Sequence, residues 1–209
     1  MQRGRFITVE GIEGVGKSSN IEVLANRIRK AGFDVLTTRE PGGTPVAEDI
    51  RTLLKEHGDE PIPEIAELLM MFAARALNVN NVIIPALDAG KWVICDRFTD
   101  SSRAYQGGGR GLPMATIDQL ADWVHGDTNP DVTLLLDAPV DVGMARASGR
   151  GAPDRIEREK HDFFERVRAC YLSLAARDPD RFVVIDTTRS LKEVQRDVER
   201  LAQQLVDNV

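Results

Sequence analysis

Residues 11–18, with the sequence GIEGVGKS, constrain the fold of this chain more than any other feature. They match the pattern G-x-x-x-x-G-K-[ST] in full and directly follow a short apolar run that ends at Glu10. Glycines allow consecutive backbone N–H groups to turn inward around an anion, and a helix N-terminus adds free donors and positive partial charge. The pattern therefore predicts a nucleoside-triphosphate site between a first strand and a helix that begins near Lys17, with ATP as the expected nucleotide.

The residue types in this loop suit triphosphate chemistry. Lys17 offers a mobile cation for the β- and γ-phosphates, and the Ser18 hydroxyl is a suitable ligand for Mg²⁺. An ordinary glycine turn before a helix is the alternative, and the agreement of motif, strand and helix in register favours the nucleotide site. The ATP-binding residues expected in the loop are Gly11, Ile12, Glu13, Gly14, Val15, Gly16, Lys17 and Ser18.

Short apolar runs alternate with helical patterns along the rest of the chain. The runs at residues 6–9, 35–37, 92–95, 132–136 and 182–185 are apolar on both faces, as strands buried in a parallel sheet are. Helical periods occur at residues 18–30, 64–77, 117–124, 154–176 and 191–206. This alternation predicts an α/β fold in which five parallel strands lie between helices in a three-layer P-loop arrangement. The length of 209 residues fits one domain over 1–209, and the pattern leaves the strand order open.

The composition indicates which classes of partner and which cellular compartment to expect. The chain has 27 Lys and Arg against 33 Asp and Glu, and the resulting charge of −6 argues against general nucleic-acid binding. No apolar run approaches the ~20 residues of a membrane span, and no signal-peptide core is present at the N-terminus. Two cysteines, Cys95 and Cys170, are too few for a disulfide framework. We therefore expect a cytoplasmic protein that binds neither nucleic acid nor membranes.

Asp96 and Arg97 come directly after the third predicted strand. Ligands of open α/β sheets bind beyond the carboxyl ends of the strands, where Asp96 could hold Mg²⁺ and Arg97 could grip an acceptor phosphate with two hydrogen bonds. A surface ion pair that caps the strand is the alternative. Residues 128–131, TNPD, lack the lysine of the base-reading motif of small GTPases. A chain of this length with a phosphate loop at residue 11 indicates a small-molecule kinase.

Four segments in this order resemble the thymidylate kinase family: GIEGVGKS, TREPGGT at 38–44, DRFTDSSRAYQGGGRG at 96–111 and GRGAPDR at 149–155. The phosphate loop is shared by many families, whereas TREPGGT together with DRxxxSxxAYQ is much more specific. The resemblance runs from residue 6 to about residue 205. It implies a kinase that phosphorylates dTMP with ATP and Mg²⁺, has a five-stranded parallel sheet and forms a homodimer.

The resemblance also implies roles for residues on the acceptor side. Arg51 and Arg97 match residues near the dTMP phosphate, Glu13 matches a carboxylate near the sugar 3′-hydroxyl, and Arg75 matches the side chain that reads the thymine edge. Where the family often places the Phe that covers the base, this chain has Met71, and the neighbouring Phe72 shares a helix face with Arg75. The implied dTMP-binding residues are Glu13, Arg39, Glu40, Pro41, Arg51, Phe72, Arg75, Arg97, Ser101, Tyr105 and Gln106.

Residues 146–155 carry Arg146, Arg150 and Arg155 among glycines, which suits a flexible lid over ATP. Some members of the family carry an arginine inside the phosphate loop and others carry it in the lid. This chain has Gly14 in the loop, so it resembles the bacterial type, in which Arg150 would stabilise the transferring phosphoryl group. Arg146 and Arg150 join the expected ATP-binding residues, and the expected catalytic residues are Lys17, Asp96, Arg97 and Arg150.

Two other functions stay open at this stage. One keeps the fold and changes the acceptor to another nucleoside monophosphate or a deoxynucleoside, and the arginines favour an acceptor that already carries a phosphate. The other is a non-catalytic P-loop module that binds nucleotide as a switch, which would need Lys17 and none of the acceptor arginines.

Overall fold

The computed structural model describes residues 3–56, 60–149 and 154–208. Within these ranges one sheet has five strands, all paired in parallel. The strands are β1 Phe6–Glu10, β2 Val35–Arg39, β3 Trp92–Asp96, β4 Val132–Asp137 and β5 Phe182–Asp186. Their order is β2-β3-β1-β4-β5. The predicted α/β fold with a five-stranded parallel sheet is confirmed, and the order brings the carboxyl end of β1 beside that of β3.

Helices cover both faces of the sheet. They are α1 Lys17–Lys30, α2 Pro45–Glu56, α3 Glu64–Asn78, α4 Ile84–Asp88, α5 Thr99–Ser102, α6 Met114–Val124, α7 Val140–Ser148, α8 His161–Arg177 and α9 Leu191–Asp207. A π-helical segment, Val79–Ile83, joins α3 to α4, and a second, Arg103–Gly109, continues α5. The second segment contains Tyr105 and Gln106, whose side chains lie near the carboxyl ends of the strands.

The sheet separates two apolar clusters. Alternate residues of β3 point to opposite faces, so Ile94 joins a cluster with Leu24 of α1 and Val198 of α9, whereas Val93 joins a second cluster with Ile83. Every residue of β1 is buried, because this strand lies in the middle of the sheet with helices on both sides. The result is the three-layer arrangement that the sequence pattern indicates.

One expected helix begins later than predicted. The pattern predicts a helix over 154–176, but α8 begins at His161, and the residues before it form turns. The Asp154 carboxylate accepts the backbone N–H groups of Ile156 and Glu157 at 2.9 Å and forms an ion pair with Lys55 at 2.7 Å. These contacts hold the segment against α2, so tertiary interactions override its helical period.

The helical stretch 64–88 is long and apolar enough, by length and composition, to cross a membrane. No apolar run of that length was identified from the sequence. It contains Glu67 and Arg75, which are both buried and ion-paired, and Phe72 packs against Ile117 of α6. Such contacts are those of a helix inside a globular fold.

Candidate active site

A cleft of about 200 Å³ opens beyond the carboxyl ends of β1 and β3, where the strand order places it. It brings together most residues singled out in the sequence. Those that line it are Glu13, Gly14, Gly16, Lys17, Ser18, Glu40, Pro41, Arg51, Arg75, Asp96, Arg97, Ser101, Tyr105 and Gln106. The remaining loop residues Gly11, Ile12 and Val15 are buried behind the surface of the cleft.

The lysine of the phosphate loop lies over the loop itself. Lys17 Nζ donates hydrogen bonds to the carbonyl oxygens of Gly11 and Ile12, both at 3.0 Å. Burial and, to a smaller extent, the nearby charge of Arg97 together lower the pKa of Lys17 to about 8. An anion in the loop would favour the protonated lysine, so this environment is suited to phosphate.

The phosphate loop touches α7 backbone to backbone. Gly14 has a φ of 77°, a left-handed conformation that favours glycine. A Cβ on Gly14 would lie 1.9 Å from the carbonyl oxygen of Gly143, and a Cβ on Gly143 would lie 2.6 Å from the carbonyl oxygen of Glu13. Neither position has room for a side chain, so the two glycines together fix the distance between the loop and α7.

Asp96 is the last residue of β3 and stands opposite Val9 of β1 in the sheet. Its Oδ1 atom is buried and has no hydrogen-bond partner among the described residues. Ser18 lies at the start of α1 with an exposed side chain, on the same cleft. Buried polar atoms without a partner are rare in proteins, so the free carboxylate oxygen of Asp96 is a candidate for binding a ligand.

Arg97 adopts a backbone conformation that side chains seldom take, with a φ of 69°. Its Nη2 donates to Glu13 Oε1 at 2.7 Å, and its guanidinium carbon Cζ lies over the ring of Tyr105, 4.8 Å from the centroid. The Tyr105 hydroxyl donates to Glu13 Oε2 at 2.7 Å. A strained backbone together with a closed set of polar contacts is typical of a functional site.

Glu10 holds this strained loop, although sequence reasoning did not select it. It is fully buried, and its Oε1 accepts the backbone N–H of Phe98 at 2.7 Å. Its Oε2 accepts the hydroxyls of Ser101 at 2.6 Å and Tyr171 at 2.8 Å. Burial and, to a smaller extent, the charge of Asp100 together raise the pKa of Glu10 to about 7. The signal that could have identified Glu10 in the sequence is a carboxylate at the end of a strand with no other charged residue.

Two side chains at the far end of the cleft have free hydrogen-bonding groups. Arg75 Nε donates to Glu40 Oε2 at 2.6 Å and Nη2 donates to the carbonyl of Phe98 at 3.1 Å, whereas Nη1 is buried without a partner among the described residues. Gln106 Nε2 donates to Glu67 Oε1 at 2.8 Å, which leaves the Gln106 carbonyl oxygen available. Two residues that line the cleft, Arg75 and Gln106, thus offer a free donor and a free acceptor.

Three expected site residues lie away from the cleft. Phe72 does not line it, because its ring packs in the apolar cluster of α3 and α6 beneath the Arg75 guanidinium, and Met71 lines the cleft instead. Arg39 is drawn to Glu48 of α2, with which it forms an exposed ion pair at 2.9 Å. Arg146 donates to the carbonyl of Thr187 at 2.9 Å. Neither Arg39 nor Arg146 lines the cleft.

Arg150 lies outside the described residues, so its expected catalytic role stays a prediction. The neighbouring segment 154–160 is described, and Asp154, Ile156 and Glu157 contribute to the wall of the cleft. Arg155 donates to Glu67 Oε2 at 2.5 Å and to the carbonyl of Leu54 at 2.9 Å. Sequence reasoning missed the cleft residues Leu54, Lys55, Ser102, Ile156 and Glu157, of which only Ser102 lies inside a quoted motif.

Comparison with known proteins gives consistent similarities over the whole chain. A family model described as thymidylate kinase matches residues 9–198. The chain is 52% identical over 204 residues to a thymidylate kinase of Ectopseudomonas mendocina (strain ymp), covering 98% of this chain and 97% of the relative. It is 52% identical over 197 residues to a thymidylate kinase of Teredinibacter turnerae, covering 94% and 96% of the two chains. A solved thymidylate kinase of Ehrlichia chaffeensis has a TM-score of 0.77 at 34% identity, over 95% of this chain and 98% of that one.

Proposed function

The chain belongs to the thymidylate kinase family and is a phosphotransferase, and from this premise we propose that its cleft transfers the γ-phosphoryl group of ATP to dTMP, giving dTDP and ADP. The observation that carries the proposal is the position of two free groups, Arg75 Nη1 and the Gln106 carbonyl oxygen, on the same cleft as Lys17. A nucleobase and a phosphate chain could thus bind at once. We also propose that the chain acts as a single domain.

The two free groups match the thymine edge. The Arg75 guanidinium donates a hydrogen bond to the thymine 4-carbonyl oxygen, and the Gln106 carbonyl accepts the N3–H group. Cytosine reverses both, because it has an amino group at position 4 and an acceptor at N3. Met71, which lines the cleft one helical position from Phe72, covers the face of the base in this proposal.

The arginines on the sheet side serve the phosphates. Arg97 and Arg51 bind the dTMP phosphate, and Lys17 bridges the β- and γ-phosphates of ATP as charge develops on the transferring group. Arg51 is already oriented by a hydrogen bond of 2.9 Å to the carbonyl of Pro41. Glu13, held by Arg97 and Tyr105, faces the sugar 3′-hydroxyl.

Ser18 and Asp96 would hold Mg²⁺ between them, together with phosphate oxygens of the nucleotide. The unpartnered Oδ1 of Asp96 and the exposed Ser18 hydroxyl supply oxygen ligands, which Mg²⁺ prefers. Mg²⁺ usually takes one or two protein ligands and completes its shell with phosphates and water, so no larger carboxylate cluster is needed. When bound, the ion neutralises charge on the β- and γ-phosphates.

We propose that two copies assemble into a homodimer. Exposed apolar side chains lie on the adjoining helices α2 and α3, where Leu53 is 54% exposed and Leu69 is 52% exposed. An apolar surface of this kind supports association between copies. Light scattering of wild type and Leu69→Asp tests this, because loss of the dimer in the variant is expected, whereas a wild-type monomer refutes it.

The two unpaired cysteines, Cys95 and Cys170, support a reduced, cytoplasmic setting.

A coupled ADP-release assay with dTMP, dUMP, dCMP and dGMP tests the proposed reaction. We expect dTMP to be the preferred acceptor, with dUMP poorer by about 10- to 200-fold, because one methyl group contributes ~1–3 kcal/mol in a pocket. Equal turnover of dCMP and dTMP would refute the base assignment. ATP binding without turnover of any monophosphate would instead favour the non-catalytic nucleotide-binding module.

A further inference from the structure

The buried carboxylate of Glu67 lies outside the reacting centre but contacts the base-reading side of the cleft. Glu67 is 1% exposed and lies on α3, two turns before Arg75. Its Oε1 accepts from Gln106 Nε2 at 2.8 Å, and its Oε2 accepts from Arg155 at 2.5 Å and Arg110 at 3.1 Å. Three stretches that are distant in sequence therefore meet at one acid: α3, the segment with Gln106 and Arg110, and the segment with Arg155.

The charge state of Glu67 decides what Gln106 can do. Burial raises the pKa of Glu67, and the bonds from Gln106, Arg110 and Arg155 outweigh this effect and hold the pKa below its ordinary value. An ionised carboxylate only accepts hydrogen bonds. Gln106 must therefore turn its NH₂ group towards Glu67 and its carbonyl oxygen away from it.

We propose that Glu67 is a positioning residue that determines pyrimidine choice, because it fixes which end of the Gln106 amide faces the cleft. The inference rests on the proposed function, in which Gln106 contacts the base. A fixed carbonyl accepts the N3–H of thymine and meets the lone pair of cytosine N3. A reversed amide would donate to cytosine N3 and would oppose thymine.

The two arginines enforce this arrangement. Rotation of the Glu67 carboxylate away from Gln106 would also break the contacts with Arg110 and Arg155, which are largely buried. Reversal of the Gln106 amide would instead place its carbonyl oxygen against a buried negative charge. Both rearrangements are unfavourable in free energy, so the orientation of the Gln106 amide is set before the nucleotide binds.

The test compares kcat/KM for dTMP and dCMP on one preparation of each variant, so that the active fraction cancels in the ratio. Glu67→Gln can present either a carbonyl oxygen or an NH₂ group to Gln106, so both orientations of the Gln106 amide are permitted. We expect the dTMP-to-dCMP ratio to fall by about tenfold or more, the factor for one misplaced buried hydrogen bond. A purely structural role would lower both values together, and an unchanged ratio would overturn the inference.

Glu159→Gln is the matched control. Glu159 contacts Arg110 at 2.5 Å from the outer side and makes no hydrogen bond to Gln106 in the described part of the chain, so its ratio should equal that of wild type. A fall in the control equal to that of Glu67→Gln would overturn the inference. If Glu67→Gln does not fold, Glu67→Asp keeps the charge and withdraws it from Gln106 by one methylene group. That variant should also lower the ratio, and an unchanged ratio would refute the proposal.

Gln106→Ala separates failure of this inference from failure of the proposed function. If Gln106→Ala lowers the ratio and Glu67→Gln does not, the base contact stands and the role of Glu67 is wrong. If Gln106→Ala leaves the ratio unchanged, the base contact itself is wrong, and the inference falls with it. A fall in both variants, with Glu159→Gln unchanged, supports both.

Discussion

Replacement of Arg75 by methionine should destabilise the fold strongly, whatever it does to catalysis. Arg75 Nε lies 2.6 Å from Glu40 Oε2, and the two side chains are only 2% and 3% exposed. Removal of the arginine leaves a buried carboxylate whose remaining side-chain partner, among the residues that the structure describes, is Asn78 at 3.3 Å. Breaking a buried pair on one side costs about 3–5 kcal/mol. We expect a loss of that size in the free energy of unfolding, measured by urea denaturation.

The pH dependence of this loss identifies its cause. Burial raises the pKa of Glu40, and the charge of Arg75 works against that rise. Without Arg75 the pKa rises further, so the folded state holds the proton more tightly than the unfolded state does. The stability associated with a raised carboxyl pKa is present at low pH and is lost as the pH increases through the folded pKa. The loss in Arg75→Met should therefore be smaller at pH 5 than at pH 8.

A double-mutant cycle completes the test. Glu40→Gln alone leaves a buried guanidinium without its counter-charge, and the double variant leaves neither charge. The loss in the double variant should fall short of the sum of the two single losses by about 0.5–3 kcal/mol. Arg75→Lys is the matched control, because it keeps a cation beside Glu40 but has one nitrogen to offer. It should keep most of the stability and raise KM for dTMP.

Three outcomes would refute this reasoning. Arg75→Met could cost less than about 1 kcal/mol, which would mean that the pair is not energetically coupled to the fold. The loss could be equal at pH 5 and pH 8, which would exclude Glu40 ionisation as its origin. The two single losses could add without any interaction, which would show that the contact at 2.6 Å contributes nothing specific.

Two further substitutions test the phosphate side of the cleft, and a third tests the buried carboxylate behind it. Lys17→Ala should lower kcat on the order of 100-fold or more. It should not lower Tm, because the side chain belongs to the phosphate loop and not to the apolar core. Near wild-type turnover would contradict the proposed role of Lys17. Asp96→Asn should raise the Mg²⁺ concentration needed for half-maximal activity, and an unchanged Mg²⁺ titration would exclude Asp96 as a ligand. Glu10→Gln should remove about 2.5 kcal/mol of the decline in stability between pH 5 and pH 8, since a pKa raised from 4.5 to about 7 makes the folded state lose stability as pH rises through that window. A variant that keeps the full wild-type decline in urea denaturation would contradict this.

The parts of the fold that follow from local pattern were predictable. The loop at 11–18, the strands and the long helices α1, α3 and α9 each carry a complete signal within a short window. The strand order carries no such signal, because it depends on crossovers between distant segments. The turns at 154–160 were predicted as helix, since the contacts that hold them lie on α2 and α3.

The site divides in the same way. Motif residues such as Lys17 and Asp96 were assigned from sequence, whereas Glu67 meets Gln106 across 39 residues and Arg155 across 88, a separation that no window covers. Phe72 and Met71 differ by one position on α3, which turns a side chain by about 100°. Spacing from Arg75 could not tell which of the two faces the cleft, because that depends on where α6 packs.

The backbone contact between Gly14 and Gly143 restricts how this enzyme can evolve. An arginine in the phosphate loop at position 14 would require a side chain where the carbonyl oxygen of Gly143 already lies, 1.9 Å from the Cβ position. The φ of 77° at Gly14 would add backbone strain, because this left-handed region favours glycine. An arginine cannot therefore migrate into the loop by one substitution. The helix that carries Gly143 must move first, so the order of mutations along such a path is set by sterics, and the reverse order passes through a misfolded loop.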